Sequence, residues 1–274
     1  MEMQGALRKY IFFDVDGTLL PFGEDATEST KKALRIAHEN GHRLFLSTGR
    51  SPAELDPRLS VFDFDGGVFA GGSIAIAGNE RIYEKFFSRE QVEEIFSLAH
   101  ENGWLLLLQT DKGSFMTPEM RDALYAMFMA SLGRLLVIEN LFTEDVPTYR
   151  PNITKMILIT SKHDIKEIRE SLRGRYDIVD NTMGVPLDEC AEIVLPGVSK
   201  ATGLHAIMDY YGAPLSDSVA FGDGANDIEI VSASGFGVAM GNASSELKSV
   251  ADYVTGDVKE SGIYDALEYL GVLN

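Results

Sequence analysis

Two stretches of the chain carry the same short carboxylate pattern, Asp-x-Asp-Gly. One copy lies at residues 14–17 and the other at residues 63–66. Two carboxylates one residue apart can hold a metal ion, attack an electrophile and transfer protons. The same pattern is also common in solvated turns, because Asp and Gly both favour turn conformations. The position of each copy relative to the predicted strands separates these two interpretations.

The two copies lie on opposite sides of their neighbouring apolar runs. Residues 9–15 form a short apolar and aromatic run that predicts a buried strand, so the first copy lies at its carboxyl end. The second copy precedes the apolar run Val68–Ala70, which puts it at the opposite edge of the sheet. Ligands bind beyond the carboxyl ends of parallel strands. We therefore predict that Asp14 and Asp16 do chemistry and that Asp63 and Asp65 form a turn.

Polar side chains follow other predicted strands as well. Thr48 comes after the second strand of the chain, and Asp223, Asn226 and Asp227 follow a strand near its end. Carboxylates gathered at one point repel each other unless a cation lies among them. A set of oxygen ligands without His or Cys suits Mg²⁺. The sequence therefore predicts a magnesium site at this edge of the sheet.

Such a cluster is suited to phosphoryl transfer. An Asp held against a phosphoryl group can attack phosphorus and form an aspartyl-phosphate. A second carboxylate two residues later can protonate the leaving oxygen and then deprotonate the water that cleaves the intermediate. The charge that spreads over the phosphoryl oxygens needs cations or hydrogen-bond donors. Lys200, at the start of a predicted helix, and Thr48 are candidates for that role.

The order of predicted elements indicates an α/β fold. The chain opens strand–helix–strand, which implies parallel strands with a right-handed crossover. The same pattern returns near the end, whereas the strands between lack Asp-Gly or Gly-rich ends. We predict a Rossmann-like parallel sheet core with helices on both faces, formed by residues 1–83 and 191–274. Residues 84–190 are predicted to form an inserted α+β cap, and Glu192–Leu195 a strand of the core.

Composition limits the class of partner and the cellular compartment. The 274 residues include 24 basic and 42 acidic side chains, a net charge of −18, which argues against nucleic acid or an anionic membrane as partner. Cys190 is the single cysteine, so no intramolecular disulfide can form, and we expect a small buried side chain. The N-terminus shows no signal-peptide pattern, and no apolar run is long enough to cross a bilayer. We expect a cytoplasmic protein, with monomer or homodimer left open.

Four motifs in order resemble the haloacid dehalogenase superfamily of phosphatases. The long insert is similar to the large αβ cap of the Cof-like sugar-phosphatase branch, and residues 237–243 also resemble that branch. One departure is Gly71-Gly72-Ser73, where relatives usually carry Asn-Gly-Ala. The motifs are Asp14-Val15-Asp16-Gly17-Thr18-Leu19, Ser47-Thr48-Gly49-Arg50, Gly197-Val198-Ser199-Lys200 and Gly222-Asp223-Gly224-Ala225-Asn226-Asp227.

The resemblance implies a role for each matched residue. Asp14 would be the nucleophile and Asp16 the general acid and base. Mg²⁺ would be held by Asp14, Asp223 and the main-chain carbonyl of Asp16. Further matched residues are implied in phosphate binding (Thr48, Gly49, Arg50 and Lys200) and in completing or orienting the metal and lysine surroundings (Asn226 and Asp227).

The resulting expectation is a Mg²⁺-dependent phosphomonoesterase that hydrolyses a small phosphorylated metabolite such as a sugar phosphate. A phosphotransferase or mutase would use the same intermediate and pass the phosphoryl group to a hydroxyl. A non-enzymatic phospho-acceptor or sensor module also gathers Asp and Lys around Mg²⁺, but it has no need of the acid at Asp16. The sequence does not identify the substrate or the cap residues that select it.

Overall fold

A computed structural model of the protein describes residues 8–132, 140–144, 149–160, 164–180 and 190–274. The chain divides into two compact units. The first unit comprises Met1–Gly49, Pro57–Glu84 and Ser199–Asn274, and the second comprises Arg50–Asp56 and Lys85–Val198. Within the described residues, no helix is both long enough and apolar enough to cross a membrane.

Strands and helices alternate along most of the chain. The strands are β1 Tyr10–Phe13, β2 Arg43–Ser47, β3 Gly66–Phe69, β4 Ile74–Ala77, β5 Glu80–Glu84, β6 Leu105–Thr110, β7 Gly113–Met116, β8 Leu141–Thr143, β9 Ile153–Ile159, β10 Asp177–Asp180, β11 Cys190–Val194, β12 Ser218–Gly222, β13 Phe236–Ala239 and β14 Tyr253–Val254. The α-helices are α1 Glu28–Glu39, α2 Arg89–Asn102, α3 Pro118–Leu132, α4 Ile165–Leu172, α5 Lys200–Tyr211, α6 Ile228–Ala233, α7 Ser245–Val250 and α8 Gly262–Tyr269.

The first unit contains an eight-stranded sheet in the order β14-β13-β12-β1-β2-β3-β4-β5. The six strands from β14 to β3 pair in parallel, as predicted for the core. The last two, β4 and β5, are antiparallel and extend the sheet at one edge. The central strand β1 is the apolar run Tyr-Ile-Phe-Phe and is buried throughout, which is typical of a strand covered on both faces.

A helix cap and a pair of stacked rings stabilise parts of the first unit. The side chain of Thr27 accepts a hydrogen bond from the Thr30 amide and so caps α1, whose buried residues lie on one face. In the sheet, the ring of Phe13 stacks on that of Phe221 across β1 and β12, with centroids 4.9 Å apart. Helix α1 packs against α8, and α5 packs against α6. The parallel pairing of β1 with β2 and with β12 sets the register of these three strands.

The second unit is built on a six-stranded sheet in the order β10-β11-β9-β6-β7-β8. Residues of α2 and α4 form one apolar cluster with one face of this sheet. Residues of α3 form a separate apolar cluster with other strand residues, including Leu107 and Ile157. The second unit therefore has its own core, as an inserted α+β module requires.

The second boundary of the insert differs from the predicted one. Strand β11 pairs antiparallel with both β9 and β10, so it belongs to the second unit and not to the core. An apolar strand carries no local mark of the sheet that it joins, and the prediction of Glu192–Leu195 as a core strand was wrong for that reason. The short segment Arg50–Asp56 also groups with the second unit.

Candidate active site

Asp14 occupies the first position after β1. Its amide donates to the carbonyl oxygen of Phe221 at 3.1 Å, which continues the parallel pairing with β12 by one residue. The side chain is only 9% exposed. The first carboxylate of the motif is therefore held at the carboxyl end of the sheet, as the sequence predicts.

The chain turns sharply directly after Asp14. Gly17 has φ +96°, a conformation that favours glycine, and its amide donates to the carbonyl oxygen of Leu20 at 2.9 Å. A Cβ at position 17 would lie 2.3 Å from Oδ2 of Asp223. The glycine of the motif is therefore needed twice, for the backbone conformation and for the close approach of Asp223.

Asp223 follows β12 and faces the first motif. Its Oδ1 accepts a hydrogen bond from the hydroxyl of Thr18 at 2.8 Å, which joins two segments that are 205 residues apart in the chain. Its carbonyl oxygen accepts from the Ser244 amide at 3.0 Å. Thr18 belongs to the quoted motif, but sequence reasoning gave it no role, and the structure shows that it orients Asp223.

Asp227 is fully buried and is tied down through both of its carboxylate oxygens. Oδ2 accepts from the amides of Asp223 and Gly224 at 3.1 and 3.0 Å. Oδ1 accepts from Nζ of Lys200 at 2.6 Å. Asp227 therefore closes the loop after β12 and bonds to the lysine, and its role in orienting the metal surroundings stays a prediction.

Lys200 bridges two of the three aspartates. Its Nζ lies 2.6 Å from Oδ1 of Asp14 and 2.6 Å from Oδ1 of Asp227, and the side chain is 1% exposed. The residue begins α5, where a cation opposes the helix dipole. Two buried carboxylates explain why the cation is nevertheless stable there. An ammonium group has three N–H donors, so one remains for a further acceptor.

Burial and neighbouring charges shift the pKa values of Asp14, Asp223 and Lys200. Burial raises the pKa of Asp14 well above its usual value; Lys200 opposes that rise, and Asp227 and Asp223 add to it. Burial, together with the nearby charge of Asp227, raises the pKa of Asp223 to about 7. Burial alone would lower the pKa of Lys200, but Asp14 and Asp227 outweigh it, so the pKa is raised and the ammonium stays charged.

The donor set fits a hard divalent cation. Asp14, Asp223 and Asp227 each offer a carboxylate oxygen, and the three atoms lie within 4.8 Å of one another. One cation from Lys200 does not balance the charge of three carboxylates. Since Asp227 already bonds to Lys200 and two amides, Asp14 and Asp223 are the better placed of the three to bind a metal. All-oxygen ligands of this kind suit Mg²⁺.

The remaining predicted site residues lie near the same strand ends or directly after them. Thr48 follows β2 and is buried, with its amide donating to Val68 and its carbonyl accepting from Gly71. Asp16 is half-buried, and its charge contributes to the raised pKa of Asp223. The three other predicted residues, Gly49, Arg50 and Asn226, are partly exposed, and their roles stay predictions.

Asn242 is a residue that sequence reasoning did not single out. Its Nδ2 donates to the carbonyl oxygen of Gly17 at 2.8 Å, and its Oδ1 accepts from the Val258 amide at 3.0 Å. The Asn242 side chain therefore links the turn at Gly17 to the segment at Val258 and stabilises that turn. It lies within residues 237–243, which resemble the Cof-like branch, and that resemblance was the available signal.

Asp65, the second carboxylate of the other Asp-x-Asp-Gly, makes structural contacts. Asp65 Oδ1 accepts from the guanidinium of Arg43 at 2.7 Å, and Oδ2 accepts from the Leu44 amide at 2.9 Å. Both partners lie at the start of β2, and Thr48 follows the end of that strand. Asp65 therefore anchors the opposite edge of the sheet.

The chain is similar to known proteins over nearly its whole length. A model of the haloacid dehalogenase-like hydrolases matches residues 11–267. A relative in Bacillus subtilis (strain 168), named "Putative phosphatase YkrA", is 30% identical over 97% of this chain and 98% of its own length.

Two solved structures are similar over nearly the whole chain. BT1666 from Bacteroides thetaiotaomicron, described among phosphatases of the haloalkanoate (HAD) superfamily, is 27% identical with a TM-score of 0.82, covering 99% of this chain and 98% of its own. BT4131, described as a HAD subclass IIB sugar phosphatase, is 26% identical with a TM-score of 0.75, covering 96% of this chain and 99% of its own.

Proposed function

Because the chain belongs to the haloacid dehalogenase-like hydrolases and is a phosphatase of their Cof-like branch, we propose that it is a Mg²⁺-dependent phosphomonoesterase. Its substrate would be a small phosphorylated metabolite, and the sugar phosphatase BT4131 supports a sugar phosphate as the first class to test. The observation that carries the proposal is the buried bridge of Lys200 between Asp14 and Asp227, with Asp223 beside it.

Asp14 is the proposed nucleophile. Lys200 bonds to one of its oxygens and, with its charge, favours the ionised carboxylate that attack on phosphorus requires. Attack forms the bond between the Asp14 carboxylate oxygen and phosphorus and breaks the bond from phosphorus to the leaving oxygen. Asp16 donates a proton to that oxygen and then accepts one from the water that hydrolyses the aspartyl-phosphate.

The phosphoryl oxygens need compensating charge during transfer. The remaining N–H of Lys200 and the hydroxyl of Thr48 would donate to them, and Gly49 and Arg50 would complete the phosphate site. Asp14, Asp223 and the carbonyl of Asp16 would hold Mg²⁺, with Asn226 and Asp227 orienting the surroundings. When bound, the ion would supply positive charge to the phosphoryl oxygens.

The second carboxylate pair provides a matched control for the nucleophile. Asp14→Asn should abolish Mg²⁺-dependent release of phosphate from p-nitrophenyl phosphate, because an amide cannot form the acyl-phosphate. Asp63→Asn makes the same change in the second Asp-x-Asp-Gly and should keep kcat/KM within about twofold, as surface substitutions usually do. Turnover by the Asp14 variant equal to that of the Asp63 variant would refute the assignment.

The same assay separates hydrolysis from transfer. Free phosphate and phosphorylated acceptor are measured together in the presence of a sugar acceptor. A phosphomonoesterase converts the substrate's phosphoryl group to free phosphate in equal amount. Accumulation of a new phosphorylated sugar in place of free phosphate would identify a phosphotransferase instead.

A further inference from the structure

The loop of residues 240–244 joins β13 to α7 within the first unit, and the proposed chemistry gives it no task. Strand β13 pairs in parallel with β12, so the loop lies at the same edge of the sheet as Asp223. Its hydrogen bonds reach two other segments at this edge, the turn after β1 and the loop after β12. Those two segments carry the proposed metal ligands, so the bonds indicate what the 240–244 loop does.

Two main-chain hydrogen bonds connect the 240–244 loop to the loop after β12. The Met240 amide donates to the carbonyl oxygen of Gly222 at 3.0 Å. The Ser244 amide donates to the carbonyl oxygen of Asp223, also at 3.0 Å. The backbone position of Asp223 is therefore fixed by the 240–244 loop as well as by its own strand.

Asn242 makes the connection to the turn after β1. Its Nδ2 donates to the carbonyl oxygen of Gly17 at 2.8 Å. The peptide unit that contains this carbonyl directly follows the unit that contains the Asp16 carbonyl, which is the proposed main-chain metal ligand. Only the two backbone dihedrals of Gly17 separate these planar units, so fixing one of them restricts the other. The Asn242 side chain thus holds the backbone beside the proposed ligand.

Further bonds hold Asn242 itself in place. Its Oδ1 accepts from the Val258 amide at 3.0 Å, which sets the direction of the side-chain amide group. The adjacent Gly241 donates its amide to the carbonyl oxygen of Gly256 at 2.8 Å. The carbonyl oxygen of Gly241 accepts from Nζ of Lys248 at 2.6 Å. The donor to the first turn is therefore attached to a backbone that is itself anchored.

We propose that Asn242 is a positioning residue that, through Gly17, holds the main-chain carbonyl of Asp16 at the metal site. The same loop holds the backbone of Asp223, so the two proposed ligands keep one spacing. The inference rests on the proposed function, since it concerns the Mg²⁺ site of that function. Mg²⁺ demands near-ideal octahedral geometry, and ligands that are already ordered lose less freedom on binding. Loss of the Asn242 bond should therefore weaken the binding of the ion.

The test compares Mg²⁺ binding by Asn242→Ala with Mg²⁺ binding by Asn40→Ala. Asn40 is a matched control, because its Nδ2 also donates to a main-chain carbonyl of the first unit, that of Val272, at 2.9 Å. Asn40 lies just before β2, whereas the proposed site lies at the carboxyl ends of the strands. Both asparagines are exposed, so both variants should fold.

Four quantities are measured for each variant. The dissociation constant of Mg²⁺ comes from isothermal titration calorimetry without substrate. The Mg²⁺ activation constant and kcat come from turnover of p-nitrophenyl phosphate at increasing Mg²⁺ concentration. The free energy of unfolding comes from denaturant titration in EDTA, which reports the structural cost of each lost hydrogen bond without the ion.

Asn242→Ala should raise the dissociation constant and the activation constant of Mg²⁺ about threefold to tenfold, which is the factor that a net hydrogen bond contributes. Saturating Mg²⁺ should restore kcat to within about twofold of the wild-type value, because the variant keeps every proposed ligand. Asn40→Ala should leave all three quantities unchanged even where it lowers stability as much. An unchanged dissociation constant in Asn242→Ala would overturn the proposal, as would an equal rise in Asn40→Ala or a kcat that stays low at saturating Mg²⁺.

Two further variants separate this inference from the proposed function. Asp223→Asn should abolish the heat of Mg²⁺ binding, which shows that the ion binds at this site, and turnover by Asp14→Asn is measured in parallel. An inactive Asp14 variant and abolished binding in Asp223→Asn, together with an unchanged constant in Asn242→Ala, reject this inference alone. Full turnover by Asp14→Asn, or Mg²⁺ binding that Asp223→Asn leaves intact, rejects the proposed function and this inference with it.

Discussion

The charge balance of the site depends on Lys200. Its ammonium lies between two buried carboxylates, and a third carboxylate is within 4.8 Å of both. Removing one partner from a buried ion pair leaves an uncompensated charge, which costs more than the pair contributes. Lys200 should therefore matter for folding as well as for phosphate binding.

Lys200→Met should lose both stability and activity. We expect the free energy of unfolding, measured by denaturant titration in EDTA, to fall by about 3–5 kcal/mol. The kcat should fall at least about 100-fold, because the variant lacks a donor to the transferring group. Lys259→Met removes an exposed ion pair with Glu24 and should change stability by less than about 1 kcal/mol. Equal effects of the two variants would contradict the role assigned to Lys200.

Cys190 has a side chain that is reactive when exposed, but in this protein it is buried. Burial, followed by the charge of Glu192, raises the pKa of its thiol to about 12. The thiolate is the reactive form, so the native protein should hardly react with a thiol reagent at pH 8. Ellman's reagent should release one equivalent of chromophore only after denaturation with guanidinium. Rapid reaction of the native protein would contradict the buried structural role.

At the scale of elements, the start of α5 is fixed by its contact with the turn after β3. Gly72 lies so close to Ser199 that a Cβ at position 72 would be 1.8 Å from the Ser199 carbonyl oxygen and 3.0 Å from the Lys200 amide. Gly71 also has positive φ, but a Cβ there would meet open space. The departure from the Asn-Gly-Ala pattern of the relatives thus keeps glycine at the packed position, and this contact sets where Lys200 begins its helix.

The two glycines give a matched pair of substitutions. Gly71→Ala should cost about 1–2 kcal/mol, the penalty for a left-handed backbone alone. Gly72→Ala should cost a further ~1–3 kcal/mol, because the clash with Ser199 must be relieved by backbone movement. A shift of Lys200 by about 1 Å can cost 100-fold in rate, so kcat/KM should fall selectively in Gly72→Ala.

Denaturant unfolding and steady-state kinetics of both variants test this prediction. Each is compared with the wild-type chain under the same metal concentration. Similar losses for Gly71→Ala and Gly72→Ala would show that backbone strain, and not the contact with Ser199, dominates at this turn.

The sequence was sufficient for the elements that carry their own local signal. Apolar runs ending in Asp or Thr predict strands that place Asp14, Thr48 and Asp223 at one edge, and the structure brings Asp14 and Asp223 together. Lys200 was predicted from its position at a helix start and lies against Asp14. Asp14, Thr48 and Asp223 are predictable because strand direction alone determines the edge at which they emerge.

Features that depend on distant pairing could not be read in this way. Strand β11 reads as an apolar run in either unit, and only its pairing with β9 and β10 assigns it. Glu54 reads as the end of a short polar turn, because its partners Gln109 and Ser114 are more than fifty residues away. The brace from Asn242 to Gly17 spans 225 residues. Such contacts leave no periodicity in the sequence, since neither partner lies in the other's neighbourhood along the chain.

At the scale of the whole molecule, the acidic side chains include a cluster of three carboxylates that could bind a metal ion. The chain carries a net charge of −18. Within the described residues, the group of three carboxylates able to share a metal ion lies in the first unit. A divalent cation bound there relieves repulsion among buried carboxylates, so it should stabilise the unit that contains them more than the other.

Hydrogen exchange with and without Mg²⁺ should show this asymmetry. A ligand at 100 times its dissociation constant adds about 2.7 kcal/mol of stability to every opening that destroys its site. Slower exchange is therefore expected for amides in β1, β12 and the loops that follow them, which hold Asp14 and Asp223. Amides of Lys85–Val198 should keep their rates, because openings confined to that unit leave the carboxylates in place. Asp223→Asn should abolish the slowing of exchange by Mg²⁺ in the first unit. Equal protection of both units by Mg²⁺ would contradict the prediction, because the ion would then act elsewhere or the two units would open only together.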